Sequence, residues 1–300
     1  MKLAPNIRAD TFALDKGTLV AHAMSEMQTH LMAPDWTDRQ KVALTCRILA
    51  SRGHGSGLAG QISARAATSD SYYTQRLGLG FEEINESNLL VVNADLQVVE
   101  GAGIPNPANR FHSWIYRARE DVQCIVHTHP AAICALGMLR RPLKVAQMDS
   151  CMLYDDVSFV AEWPGLPVGN DEGEFITNAL GTRRALLLSH HGLVVAATSI
   201  EEACVVAVQC ERAAQLQLMA EGCGEIAPID STLAREAHDW ILHPTKSAAT
   251  FFYYARQILA TISDITHPIA TAGSVSQADA PGDDSGVASH GRDAQLDFRR

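Results

Sequence analysis

Apolar positions along this chain recur with two different periods. After Thr37-Asp-Arg-Gln40, the residues Val42, Cys46 and Leu49 fall on one helical stripe, which Gly53 ends. Thr37 and Gln40 form a capping-box pair, in which each side chain can bond the other's backbone N–H. Ser199-Ile-Glu-Glu202 repeats the pattern before a long helix with Ala203, Ala207, Cys210, Ala214 and Leu218 on one face, closing near Gly222. Helices are also predicted over Arg110–Arg119, with Phe111, Trp114, Ile115 and Ala118 inward, and over Ala131–Leu139 after Pro130. Two more are predicted around Leu233–Leu242 and Ala248–Ile262, and residues 1–35 read as an N-terminal helix or arm. Strands are predicted at Asn88–Val92, Val122–His129 and Arg184–Ala197, the last interrupted by Gly192. Gly53–Gly57 is a glycine-rich loop without the spacing of a dinucleotide fingerprint or a P-loop. Strands and helices without regular βαβ alternation point to mixed α/β layers rather than a Rossmann fold.

From about Thr266 large apolar groups become rare and Ala, Ser, Gly and Asp dominate, so residues 266–300 are expected to be a disordered tail. The expected organisation is therefore one domain over 1–265, carrying the N-terminal arm and C-terminal helices at 230–262.

Composition narrows the function. The net charge is −10, which disfavours nucleic acid and anionic membrane as partners. The apolar runs fall short of the roughly 18–20 residues that a membrane helix needs, and the N-terminus lacks the apolar core of a secretory signal. Seven cysteines without a C-x-x-C pair read as reduced, buried thiols, and the expected location is the cytoplasm. The compositional hint of chemistry is twelve histidines against six tyrosines.

Those histidines have a pattern. In a strand, residues two apart share a face, so His127 and His129 of Cys124-Ile-Val-His-Thr-His-Pro130 would project together and could grip one divalent ion. A third ligand could come from His190-His191-Gly192 or from His112. Adjacent strand residues face opposite ways, so at most one of His190 and His191 would join. Three neutral histidines leave open coordination positions and a net charge near +2, which suits an anionic, oxygen-rich substrate. Asp149, Asp155 and Asp156 are candidates to orient the histidines, or equally turn and surface residues. Met138, Met148 and Met152 read as core.

Ala59-Gly-Gln-Ile-Ser-Ala-Arg65, Arg110-Phe-His112, His127-Thr-His129-Pro130, His191-Gly-Leu193 and the capped helix from Ser199 follow one another in an order that resembles the class II aldolase/adducin family, over roughly residues 35–225. The resemblance implies a three-layer α/β/α fold around a central, mainly antiparallel sheet. It implies homotetramers with active sites at subunit interfaces. It also implies His127, His129 and His191 as ligands of a divalent metal, zinc first and Mn, Fe or Co as alternatives, with His190 behind them.

The departures from the family pattern are equally informative. The position of the sugar-phosphate aldolases' catalytic Glu is Ala108, as in the adducin-like branch. The phosphate-cradling positions hold Gly57-Leu58, Leu77-Gly78 and Asn106-Pro107, and the family's Asn is Gln61. Arg76 beside Leu77 offers a fork suited to a carboxylate. The expected activity is thus a metal-dependent carbon–carbon lyase, a decarboxylase or retro-aldolase, acting on a nonphosphorylated keto, hydroxy or aromatic carboxylic acid. Arg76, Gln61 and Asn106 would bind the substrate, and His112 and Tyr154 would handle protons. A non-heme iron oxygenase on the same scaffold and a non-catalytic adducin-like binding module are the alternatives.

Overall fold

The computed structural model describes residues 11–31, 34–68 and 70–261. The tail expected over 266–300 lies outside them. Eight strands form one sheet, β1 Gln61–Arg65, β2 Ser71–Gln75, β3 Leu89–Asn93, β4 Val98–Glu100, β5 Cys124–Thr128, β6 Val157–Val160, β7 Ala185–Leu188 and β8 Leu193–Ala197. Their order is β4-β3-β2-β1-β5-β8-β7-β6, antiparallel throughout except for the β6–β7 pair. The described residues also form eight α-helices, α1 Lys16–His30, α2 Asp38–Ser51, α3 Asn109–Ala118, α4 Ala131–Met138, α5 Asn170–Leu180, α6 Ile200–Glu221, α7 Ser231–Ile241 and α8 Pro244–Thr261, along with short 3-10 turns.

The sheet is covered on both faces. Phe111 and Ile115 of α3 and Ile176 and Leu180 of α5 pack against Ile125, Leu186, Leu188, Val194 and Ala196. α2, α6 and α8 pack together on the other face, with α6 against β5 and β8. Strands buried on both sides need no polar alternation, which is why Leu186-Leu-Leu188 and Leu193-Val-Val195 read as continuous apolar runs. These layers are the expected α/β/α arrangement.

The Thr37 capping box forms as expected, with Thr37 and Gln40 bonding each other's backbone N–H. At Ser199 half of it forms. The hydroxyl accepts from Glu202 N–H, but the Glu202 carboxylate turns to Thr198 and Arg184. Four expectations need correction. β1, β2, β4, β6 and α5 have no counterpart among the expected elements. In α3, Tyr116 rather than Ala118 is buried, and Trp114 sits half-exposed at the rim. Met138 and Met148 are on the surface, while Met152 is core. α8 begins at Pro244, four residues before the expected Ala248. All seven cysteines are free, with Cys223 exposed. No described helix is long and apolar enough to cross a membrane.

Candidate metal centre

β5 and β8 pair antiparallel at the centre of the sheet, with Thr128 opposite Leu193, so the end of one strand meets the start of the other. This brings the turn after β5 beside the turn before β8. His127 lies on the α3 face of β5, edge-on to the Phe111 ring at 5.2 Å. His129 follows two residues on, and His191 enters from the β7–β8 turn. The three ring centroids are 4.7–4.9 Å apart, and one nitrogen of each ring lies within 4.8 Å of the other two.

Gly192 permits this approach. A Cβ there would lie 2.5 Å from both the Thr128 carbonyl oxygen and His129 Cδ2. The turn is closed by Leu188 N–H donating to the Gly192 carbonyl at 2.9 Å and His191 N–H to the Leu188 carbonyl at 3.2 Å. His190 adopts a left-handed backbone, φ 59°. That conformation sends its ring outward to the surface, where Arg140 Nε donates to His190 Nε2 at 3.2 Å. His190 is therefore not behind the other three histidines, which corrects the expectation.

The donor set suits a divalent cation. A carbonyl can only accept, so the 2.9 Å bond between His127 Nδ1 and the Leu193 carbonyl puts the ring's proton on Nδ1. The bare Nε2 then faces His129 Nε2 at 3.0 Å. Burial, and secondarily the His191 and His129 rings, hold His127 far below the usual histidine range. Burial, with His129 nearby, pushes His191 down to about 4, and burial lowers His129 as well. Near neutral pH the cluster thus presents three uncharged rings, with the His127 Nε2 lone pair directed at its neighbours. The Leu193 carbonyl fixes one tautomer, as the outer partners of metal-bound histidines do.

The remaining candidates divide into two groups. Gln61 lies directly opposite His127 in the β1–β5 ladder, buried, and its Oε1 has no partner among the described residues. The Gln75 side chain clamps the segment beside it, accepting from Ile62 N–H and donating to the Gly60 carbonyl. Arg76 and Asn106 line one crevice with Gly57–Gly60, Leu77 and Phe81. Its back wall, Gly60, is so close to β5 that a Cβ would lie 2.9 Å from the His127 carbonyl oxygen. Arg76 is exposed, its stem against Gly103, and Asn106 Oδ1 accepts from Ala108 N–H at 3.0 Å.

Neither of the two proton-handling candidates lines that crevice. His112 is fully buried behind Phe111, with Nδ1 against Ser63 Oγ at 2.7 Å, and burial drives it down to about 3. It underlies the cluster instead of facing a cleft. Tyr154 packs beneath the Arg235 guanidinium of α7, 5.0 Å from its ring, and none of its described contacts reaches the histidines. Asp155 and Asp156 pair with Arg183, Arg184, Arg235 and His238, and Asp149 is exposed. Sequence reasoning missed His54, a buried ring whose Nδ1 lies 2.9 Å from the Oγ1 of Thr128, the residue between His127 and His129. Its position in Gly53-His-Gly55 carried no periodic signal.

The fold and the histidine cluster define a member of a known group. The sequence profile of the Class II Aldolase and Adducin N-terminal domain matches residues 40–218, and the chain belongs to that family. Among its relatives is the 3,4-dihydroxyphthalate decarboxylase of Arthrobacter keyseri, 31% identical over 199 residues, 62% of this chain and 79% of that one. Another is the 4-hydroxy-3-prenylphenylpyruvate oxygenase/4-hydroxy-3-prenylbenzoate synthase of Streptomyces roseochromogenus subsp. oscitans, 31% identical over 182 residues, 60% of this chain and 66% of that one. The solved L-fuculose 1-phosphate aldolase of Glaciozyma antarctica superposes with a TM-score of 0.71 at 25% identity, covering 79% of this chain and 96% of that structure.

Proposed function

We propose that this protein is a metal-dependent carbon–carbon lyase that removes carbon dioxide from, or cleaves, a nonphosphorylated keto, hydroxy or aromatic carboxylic acid. The observation that carries the reading is the convergence of three uncharged histidine rings beside α3, whose N-cap is Ala108 and whose first turn holds no carboxylate. His127, His129 and His191 would hold the ion. Zinc is preferred for an all-histidine set, with Mn, Fe or Co as alternatives. Bound there, the cation supplies Lewis-acid polarisation of a substrate oxygen.

The chain's own residues do the rest. Arg76 presents a planar fork to a carboxylate at the crevice mouth. Asn106 keeps its Nδ2–H available, since its Oδ1 is engaged by Ala108. Gln61 has a buried acceptor to offer a substrate hydroxyl. Leu58, Leu77 and Pro107 offer no side-chain hydroxyl to a phosphate. Without a carboxylate at 108, removing a proton from carbon has no evident base, whereas decarboxylation needs only delivery of a proton afterwards. The decarboxylase among the relatives supports this direction. The oxygenase among them favours a second reading, iron-dependent oxidation of an aromatic keto acid. The same reading includes a single domain over 1–265, a homotetramer and a cytoplasmic location.

The test is product analysis on a panel of keto, hydroxy and aryl carboxylic acids, with added Zn, Mn or Fe(II), in air and under anaerobic conditions. Carbon dioxide release from at least one acid without dioxygen is expected. Turnover only with dioxygen would select the oxygenase. Faster cleavage of a phosphorylated sugar than of every acid would sink both.

A further inference from the structure

α4 follows His129 after a single residue, Pro130, which is its N-cap. Proline has no side-chain acceptor, so the first N–H groups of α4 cannot be capped locally. The missing acceptor comes from another layer. Glu211, in the middle of α6 and 4% exposed, accepts from Ala132 N–H and Ile133 N–H, both at 3.0 Å, and from Gln215 Nε2 at 2.9 Å. A buried carboxylate on a helix N-terminus is held by aligned dipoles and charge-assisted hydrogen bonds.

α4 also touches the other ligand-bearing turn. Cys134 Sγ lies 3.3 Å from the His191 carbonyl oxygen, and Gly137 packs so closely that a Cβ would be 3.2 Å from the Leu188 carbonyl oxygen. One short helix thus leans on both turns that carry the histidines, and Glu211 fixes its leading end.

We propose that Glu211 is a positioning residue of the histidine cluster, setting His129, and through α4 His191, at the separation that grips a divalent ion. The inference rests on the metal-dependent reading above. Outer partners of metal ligands are commonly worth about 10–100-fold in metal affinity. Glu211→Gln keeps one acceptor but turns an amide NH2 toward the second backbone donor.

The experiment measures Zn2+ affinity by chelator competition and the visible spectrum of the Co2+-loaded full chain for wild type, Glu211→Gln and Ile48→Val. Ile48→Val lightens the core at a buried α2 position and controls for stability loss. Glu211→Gln is expected to weaken Zn2+ at least about tenfold and alter the Co2+ bands, with Ile48→Val unchanged in both. Equal affinity and an identical spectrum for Glu211→Gln overturn the proposal, as does equal weakening in Ile48→Val. Should Glu211→Gln not fold, hydrogen exchange of the wild-type peptide spanning 130–139 decides. Slower exchange on adding Zn2+ supports the coupling, and no change overturns it. Wild type that binds no ion at all would instead defeat the metal-dependent reading itself.

Discussion

Replacing Gly192 with alanine tests the geometry of the cluster with one methyl group. The added carbon would sit 2.5 Å from the Thr128 carbonyl oxygen and 2.5 Å from His129 Cδ2. An ordinary carbon–oxygen contact is about 3.3–3.6 Å, so β5 and the β7–β8 turn must separate by about 0.8 Å or more. The Thr128 carbonyl is backbone in the central β5–β8 ladder and cannot swing aside as a side-chain end can, whatever the His129 ring does. Overpacking of this kind costs about 1–3 kcal/mol, or several degrees in Tm for a chain of this size. The effect on the ion should be larger in proportion. Metal–ligand distances tolerate only about 0.2 Å, so a displacement of 0.8 Å, the approximate clash relief just worked from contact distances, takes His191 out of reach of an ion held by His127 and His129. Zn2+ competition titration and thermal melts with and without Zn2+ measure both terms. Gly192→Ala is expected to melt modestly lower and to lose most of the Zn2+-induced rise in Tm. Wild-type Zn2+ affinity in Gly192→Ala would refute the claim that close backbone approach assembles the site.

Two further outcomes follow from the same geometry. His191→Ala should abolish stoichiometric metal, while His190→Ala, whose ring lies outward against Arg140, should retain it; metal analysis of the two purified variants decides, and equal losses would contradict the assignment. Burial holds His54 at about 4, so between the ordinary histidine value of about 6.5 and pH 4 the unfolded chain takes up a proton that the folded chain refuses. Its contribution is therefore complete above about pH 6.5 and is lost on acidification, with a slope approaching 1.4 kcal/mol per pH unit. Urea unfolding of the metal-free chain at pH 7 and pH 5 should show this fall, and His54→Phe should reduce it; an unchanged slope in His54→Phe would refute it.

The parts of this fold legible in the sequence are those whose local chemistry acts within one element. The period of two in His127 and His129 revealed a strand face, and the Thr37 capping box fixed the start of α2. What escaped depends on partners far away in the chain. β1 and β2 are short and polar, and their buried Gln61, Ser63, Thr74 and Gln75 look like loop residues unless their hydrogen bonds across the ladder are known. α5 has few large apolar residues, and it has a glycine in its first turns because the Trp114 indole of α3 presses against Gly173 and leaves no room for a Cβ. Glu211 stands next to the buried stripe of α6 and reads as solvated until α4 is laid across it. His190 and His191 were separable in principle by facing, but the left-handed turn at His190 decides which ring goes outward.

The pairing of β5 with β8 bears on the order of assembly. The two turns that carry the histidines are far apart in sequence and meet only once the central strands, with β1 on the other side of β5, have zipped into the sheet. An ion therefore cannot recruit the histidines from an unfolded chain, as it does in small domains that fold around zinc. On the proposed reading, it would arrive at a cluster the sheet has already drawn together. Chelation should accordingly silence the centre while leaving the sheet standing, so that the metal-free protein is a dormant form, ready to be reloaded without refolding.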